Sequence, residues 1–220
     1  MTLNKDEMPI RKITQNPASI IKDVVKVIQQ QCQIPLDLRT AYIAGGFLSR
    51  VLEGDIWDHN GGHGLKLKGD VDLFFTDSAD AIAAINNLKD VLKFPLLNHT
   101  SNSSTFSVGN FKLNVVKVMY KPRPTELLDT FDFHLCQMAT DGKSVLYSTK
   151  AIKNFAAQHL TFNEFCQTTD DGVTLARLGK YGKRGYVITH HSAHKMVEHY
   201  RKKPHIDMMQ ERKTGEYYNS

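Results

Sequence analysis

Asp70 and Asp72 stand one residue apart in the run Gly69-Asp70-Val71-Asp72-Leu73-Phe74-Phe75, and no other feature constrains the chain as much. Alternation and β-forming residues predict a strand over 70–75. Side chains alternate across a strand, so both carboxylates leave one face while Val71 and Leu73 enter a core on the other. Upstream, the short apolar run 40–44 predicts a strand that stops at Gly45-Gly46. A short helix over 47–52 follows, with Gly54 as its stop. A strand closed by two glycines, a helix, and then paired acids on a second strand is a strongly restrictive combination.

The rest of the chain is read around that frame. Residues 1–16 form a polar lead-in. Ile20, Ile21, Val24, Val25 and Ile28 recur at helical spacing, with Pro17 near the helix start and Pro35 closing the region. Residues 54–69 are glycine-rich and polar, which predicts a loop with at most a short strand near 65–67. In it, Trp57 is either a loop anchor or a base-stacking residue. A helix is predicted over 78–92, with Ala79, Ile82, Ile85 and Leu88 on one face and Ser78 or Asp77 as its cap. Gly109-Asn110 predicts the turn of a hairpin between strands at 105–108 and 111–119. A helical turn at 125–128, a strand at 131–138, a turn at Asp141-Gly142 and a helix over 151–160 come next. From 175 onward the chain reads as helical and basic, with a charged tail.

These elements predict an α/β fold: a small mixed sheet flanked by helices, with a helical, basic C-terminal segment. The expected division is a core over 1–148 and a segment over 149–220 packed on it. At 220 residues, with 41% hydrophobic and 23% charged residues, the chain can bury a real core, and wholesale disorder is excluded. The formal net charge of +5 fits a polyanionic partner as well as a plain basic surface. Cys32, Cys136 and Cys166 are odd in number and widely spaced, which argues against a disulfide framework or a zinc site. No run reaches the roughly 20 apolar residues that span a membrane, and the polar N-terminus has no signal-peptide pattern. The expected location is cytoplasmic.

Two hard oxygen donors side by side suit Mg²⁺ (or Mn²⁺), which favours carboxylates together with substrate phosphates. Gly45 and Gly46 let backbone approach a ligand, and the helix after them presents free N–H groups to an anion. Ser49 and Arg50, early in that helix, add a hydroxyl and a positive charge.

Ala44-Gly45-Gly46-Phe47-Leu48-Ser49-Arg50 followed by Gly69-Asp70-Val71-Asp72-Leu73-Phe74-Phe75 resembles the glycine-pair and paired-acid signature of the DNA polymerase β-like nucleotidyltransferase superfamily. The likeness covers roughly the first two-thirds of the chain. The strand around Phe131-Asp132-Phe133 also resembles uncharacterised nucleotidyltransferase-like proteins of bacteriophages, which implies a host cytoplasm if the chain is phage-encoded. The resemblance implies a two-metal site completed by a third carboxylate on a neighbouring strand. It implies transfer of a nucleoside monophosphate from an NTP to a hydroxyl, with RNA or a tRNA-like molecule as acceptor and pyrophosphate released. Two departures stand out. The gap between the glycines and the acids is long, and the strand at 112–116 offers Asn114 where an acid is looked for. Asp132 is therefore the expected third acid, with Asp129 as fallback. The rival reading is a nucleotide- or nucleic-acid-binding module of the same fold without the chemistry.

Arg177, Lys180 and Arg184 fall at three- and four-residue spacing, with Lys183 beside them and Tyr181 and Tyr186 interleaved. On a helix the three share a face. Cations with aromatics suit phosphate contact and base stacking, and a solvated basic face is the alternative. Gly179, Gly182 and Gly185 weaken a long helix there. His134, two residues from Asp132, is expected to face the same side. His190 and His194 have the spacing of a metal pair, but no supporting ligand motif surrounds them.

Overall fold

A computed structural model describes residues 17–54, 67, 69–166 and 171–202. The lead-in, the loop with Trp57, and the tail from 203 lie outside the described residues, so the expectations placed on them stay with the sequence. The stripe Ile21, Val24, Val25 and Ile28 is the buried face of α1 (Pro17–Cys32). There follow β1 (Ala41–Ala44), α2 (Gly46–Glu53), β2 (Gly69–Phe75), α3 (Ser78–Asn86), β3 (Leu96–His99), β4 (Ser103–Val108), β5 (Phe111–Val116) and α4 (Pro124–Leu128). The chain continues through β6 (Met138–Thr140), β7 (Val145–Tyr147), α5 (Thr149–Ala157), β8 (His159–Leu160), α6 (Asp171–Lys183), β9 (Val187–Ile188) and α7 (His190–Lys202).

Seven strands form one mixed sheet in the order β3-β4-β5-β2-β1-β6-β7. Within this sheet, among the described residues, only β2 and β5 run parallel and the other neighbours are antiparallel, while β8 and β9 form a separate parallel pair. This is the expected α/β architecture, with helices flanking a mixed sheet. One sheet face carries Ala41, Ile43, Val71, Leu73 and Phe75 into a core shared with α1, α2 and α3. The opposite face carries Tyr42, Ala44 and Phe74 against Leu127 and Leu128 of α4. A second cluster joins Phe133 and Leu135 to Phe155, Leu160, Tyr181, Tyr186 and Met196, so α5, α6 and α7 pack around the segment that precedes β6. Among the described residues no helix is long and apolar enough to cross a membrane.

Several expectations need correction. The 131–138 strand does not form. Phe133 makes an isolated bridge to Phe162, His134–Cys136 coil into a single 3₁₀ turn, and only Met138 onward joins the sheet. Alternating apolar residues there fill two different cores rather than one sheet face. The helix over 78–92 buries Ala81, Ala84 and Leu88, while Ile82 is 56% exposed. Its cap is Asp77, which accepts from the Ala79 amide at 2.6 Å, and its last turn widens into a π-helical turn at Asn87–Val91. Strand β3, an exposed edge, gave no sequence signal. The basic segment is helical as expected, in two helices joined through β9. Helix α6 runs through Gly179 and Gly182, and Gly185, at φ +89°, ends the turn that follows.

Candidate functional site

Strand β1 delivers the chain to Gly45, whose φ of +91° is a backbone state that a side chain rarely tolerates. Its amide donates to the Met138 carbonyl at 3.0 Å, which fixes the turn against β6. Helix α2 begins at once, so its N-terminal turn opens beside the exit of β1. Next to β1 in the sheet, β2 presents exposed Asp70 and partly buried Asp72 on one face, as alternation requires. Gly45, Gly46, Asp70 and Asp72 line one cleft of about 570 Å³.

Burial disfavours the charge on Asp72 and raises its pKa. A hydrogen bond from Asn114 Nδ2 to Asp72 Oδ1 at 2.9 Å opposes this, as do the positive charges of Arg177 and Lys180, while Asp70 adds to it. Asn114 is the parallel-strand partner of Asp72, and its own oxygen accepts from Thr105 at 2.7 Å. The position where a third acid was looked for first thus holds an amide locked onto the second.

Asp132 also lines the cleft, with its carboxylate engaged by neighbouring groups. Only 1% of its side chain is exposed, and Oδ2 takes Arg177 at 2.9 Å and Thr174 at 3.1 Å. Oδ1 accepts from the Phe133 amide at 3.0 Å. Among the described residues no three His, Cys, Asp or Glu side chains gather closely enough to hold a metal ion. Asp129, the fallback, is exposed at the end of α4 and does not line the cleft. His134 faces away from Asp132: its Nδ1 meets the Thr161 carbonyl at 3.1 Å, and its Nε2 meets Lys150 at 3.3 Å.

Arg50, Arg177, Lys180 and Arg184 share the cleft with the acids; Lys183 does not line it. Two expected ligand contacts become architecture. Ser49 is fully buried, donates to the Gly46 carbonyl at 2.8 Å and accepts from Arg184 at 2.8 Å. Arg184 also pairs with buried Glu53 at 2.6 Å and lies 4.9 Å over the Tyr181 ring. Tyr181 and Tyr186 are each 5% exposed. The Tyr186 hydroxyl donates to Glu53 at 2.6 Å, and the Tyr181 hydroxyl meets Cys136 Sγ at 2.7 Å. Burial pushes the Cys136 thiol up to about 12 and the Tyr181 phenol well above its ordinary value, so both stay protonated. Tyr181 is therefore the cleft's rear wall, with Tyr186 packed behind it, and neither is an open stacking platform. Glu53, which bolts that wall together, carried no sequence signal, because its partners lie more than 130 positions away.

The wall explains Gly46. A Cβ there would lie 2.8 Å from the Tyr181 hydroxyl and 3.9 Å from Cys136 Sγ. Tyr181 is packed by Phe133 and Tyr186 and has little room to retreat. Gly46→Ala is expected to cost about 1–3 kcal/mol of stability through overpacking. Thermal melts check this cost.

The fold is nucleotidyltransferase-like. Solved structures bear this out at the level of fold. A tRNA-processing enzyme with CTP superposes with a TM-score of 0.56 at 17% identity, over 80% of this chain and 45% of that one. A tRNA nucleotidyltransferase with a primer tRNA and an incoming ATP analog gives 0.55 at 17% identity, over 80% and 50%. The Thermotoga maritima CCA-adding enzyme with tRNA gives 0.58 at 14% identity, over 87% and 46%. This chain thus spans about half the length of those chains. No curated protein matches it in sequence. The sequence profile of the Gabija anti-defense 2 family matches residues 15–158, well over half of the chain, and the chain belongs to that family.

Proposed function

We propose that the chain is a metal-dependent nucleotidyltransferase that moves a nucleoside monophosphate from an NTP to a hydroxyl of an RNA acceptor and releases pyrophosphate. The observation that carries the reading is the convergence of the Gly45-Gly46 helix start, Asp70, Asp72 and four cationic side chains on one cleft. Asp70 and Asp72 fit a magnesium or manganese ion by chemistry: two hard carboxylates on one face, one of them partly buried and disfavoured as a bare anion. When bound, the metal lowers the pKa of the attacking hydroxyl and neutralises charge on the phosphates.

The chain's own residues do the rest. Gly45 and Gly46 admit the triphosphate close to backbone, and the first turn of α2 offers it a positive dipole end. Arg177 and Lys180 add charge from α6, and Arg50 adds it from α2. Asn114 holds the Asp72 carboxylate in one orientation. Asp132 holds Arg177 in the cleft. The acceptor oxygen bonds to the α-phosphorus as the bond to the bridging oxygen breaks, and the hydroxyl proton leaves to solvent. Placing these charges beforehand is how such a site lowers the barrier.

The solved tRNA nucleotidyltransferases support an RNA acceptor, and the family description supports a role against Gabija defence. The binding-module reading draws on Asp132, the expected third acid, whose carboxylate is taken up by Arg177 and Thr174. Incubation with each α-³²P-labelled NTP, Mg²⁺ or Mn²⁺ and total RNA separates the two. Transfer by the wild type, lost in Asp70→Ala/Asp72→Ala, is the expected result. Metal-dependent NTP binding without transfer establishes the binding module instead.

A further inference from the structure

A second cavity, of about 280 Å³, lies between α5, the segment at 161–165 and the start of α7. Lys150 and Lys153 of α5 and Lys195 of α7 line it against a single acid, Glu164, which pairs with Lys195. Its floor is a set of buried polar side chains, His134, Asn154, Asn163 and Ser192, each under 9% exposed. The floor is rigid. Asn154 donates to the Thr161 hydroxyl at 2.6 Å, and Thr161 Oγ1 and carbonyl both meet His134 Nδ1. A donated proton from Nδ1 to that carbonyl leaves Nε2 to accept from Lys150 at 3.3 Å, so the lysine is aimed by a neutral imidazole. Burial and Lys150 lower the pKa of His134 and keep it neutral. At the rim stands Phe165, 78% exposed, and at the mouth Thr189 caps α7 by accepting from the Ser192 amide at 3.3 Å.

Lysines over a preorganised polar floor, with an open aromatic ring beside them, match what single-stranded nucleic acid needs: charge for the backbone and a face for a base. We propose that this cavity holds a backbone phosphate of single-stranded RNA, with Phe165 stacking on the adjoining base. Its role as an acceptor-strand dock rests on the transferase reading; the binding itself does not. One short segment serves both sites. Asp132 faces the cleft, His134 faces the cavity, and Asn163 clips the segment by donating to the Asp129 and Phe131 carbonyls at 2.8 and 2.9 Å. A strand docked at the cavity is therefore registered against the cleft.

The test is binding of a short, unstructured, fluorescein-labelled oligoribonucleotide to the full chain, by anisotropy across a salt series. Lys150→Glu/Lys153→Glu reverses two exposed charges, and Phe165→Ala removes the ring. The double reversal is expected to weaken RNA binding at least ~10-fold and to flatten the slope of log K against log salt by about 0.7, the share of one phosphate contact on a single strand. Phe165→Ala should weaken binding about 5-fold or more with the slope unchanged. NTP binding at the cleft serves as the fold control and should match the wild type in both variants. Wild-type RNA affinity in the charge-reversed chain overturns the proposal, as does absence of RNA binding by the wild type. Competition by inorganic phosphate or a mononucleotide as effective as that by RNA, at equal phosphate, also overturns it, in favour of a free-phosphate site. Loss of transfer in Asp70→Ala/Asp72→Ala with RNA binding intact separates the fate of this site from that of the catalytic reading.

Discussion

Replacing Asp72 with asparagine is expected to abolish nucleotidyl transfer and, in the same molecule, to make the metal-free chain more stable. The two effects share a cause. Asp72 sits on β2 where burial works against its charge, and Asp70 beside it adds like-charge repulsion. A carboxylate with a raised pKa in the folded chain binds a proton more readily there than when unfolded. Between the ordinary carboxylate range and that raised value, stability therefore falls as pH rises, and above it the whole penalty remains. The asparagine keeps an oxygen for Asn114 to donate to and carries no charge. In EDTA at neutral pH its Tm should rise by roughly 2–4 °C, the shift that about 1 kcal/mol makes in a chain of this size. As pH falls through that raised value the gain should shrink, because Asp72 then takes up its proton in the folded wild type. Transfer, by contrast, should drop by on the order of 10³-fold, the scale on which removing one charge-stabilising group acts. A lower Tm in EDTA would show that Asp72 is a structural acid and would remove the argument for a cation at this place. Asp70→Asn, at an exposed position, should lose transfer with little change in Tm.

What was legible in the sequence follows from how local each cause is. The period-two alternation around Asp70 and Asp72, the Gly45-Gly46 stop, the stripe on α1 and the turn at Gly109-Asn110 are decided within a few residues, and each stands where its pattern put it. Spacing put Arg177, Lys180 and Arg184 on one helical face but left a solvated surface open as the alternative; the fold turns that face to the cleft. Asp132 was a harder case. Its neighbours Phe133 and Leu135 look like one face of a strand, but they belong to a core that exists only once α5, α6 and α7 have packed. Tyr181 and Tyr186 interleave with basic residues as in a nucleic-acid surface, and tertiary contacts with Cys136 and Glu53 turn them inward instead. The second cavity escaped notice because its lysines come from α5 and α7, some 45 residues apart in sequence, and only the fold brings them together.

Arg177→Ala is expected to be the most destabilising single change at the cleft, and Asp132→Asn far milder. The pair is lopsided: the Arg177 side chain is 45% exposed, that of Asp132 only 1%. Removing the arginine strands a buried carboxylate with Thr174 and one amide for company, a defect that costs about 3–5 kcal/mol. In a chain of this length that is a fall in Tm of about 6–20 °C. Removing the acid's charge leaves the arginine within reach of water, and asparagine still accepts from Thr174, so the loss should be about 1 kcal/mol. In Asp132→Asn/Arg177→Ala the stranded charge is gone, and much of the stability should return. The double-mutant cycle then reports a coupling well above the ~0.5 kcal/mol of independent sites. The same variants decide what Asp132 is for. If it positions Arg177, Asp132→Asn leaves Mn²⁺ affinity near wild type and raises the KM for NTP, because a loosened Arg177 no longer meets the phosphates in a fixed place. If it is instead a metal ligand, Mn²⁺ affinity collapses in Asp132→Asn, and Arg177→Ala, which frees the carboxylate, binds the ion more tightly than the wild type does.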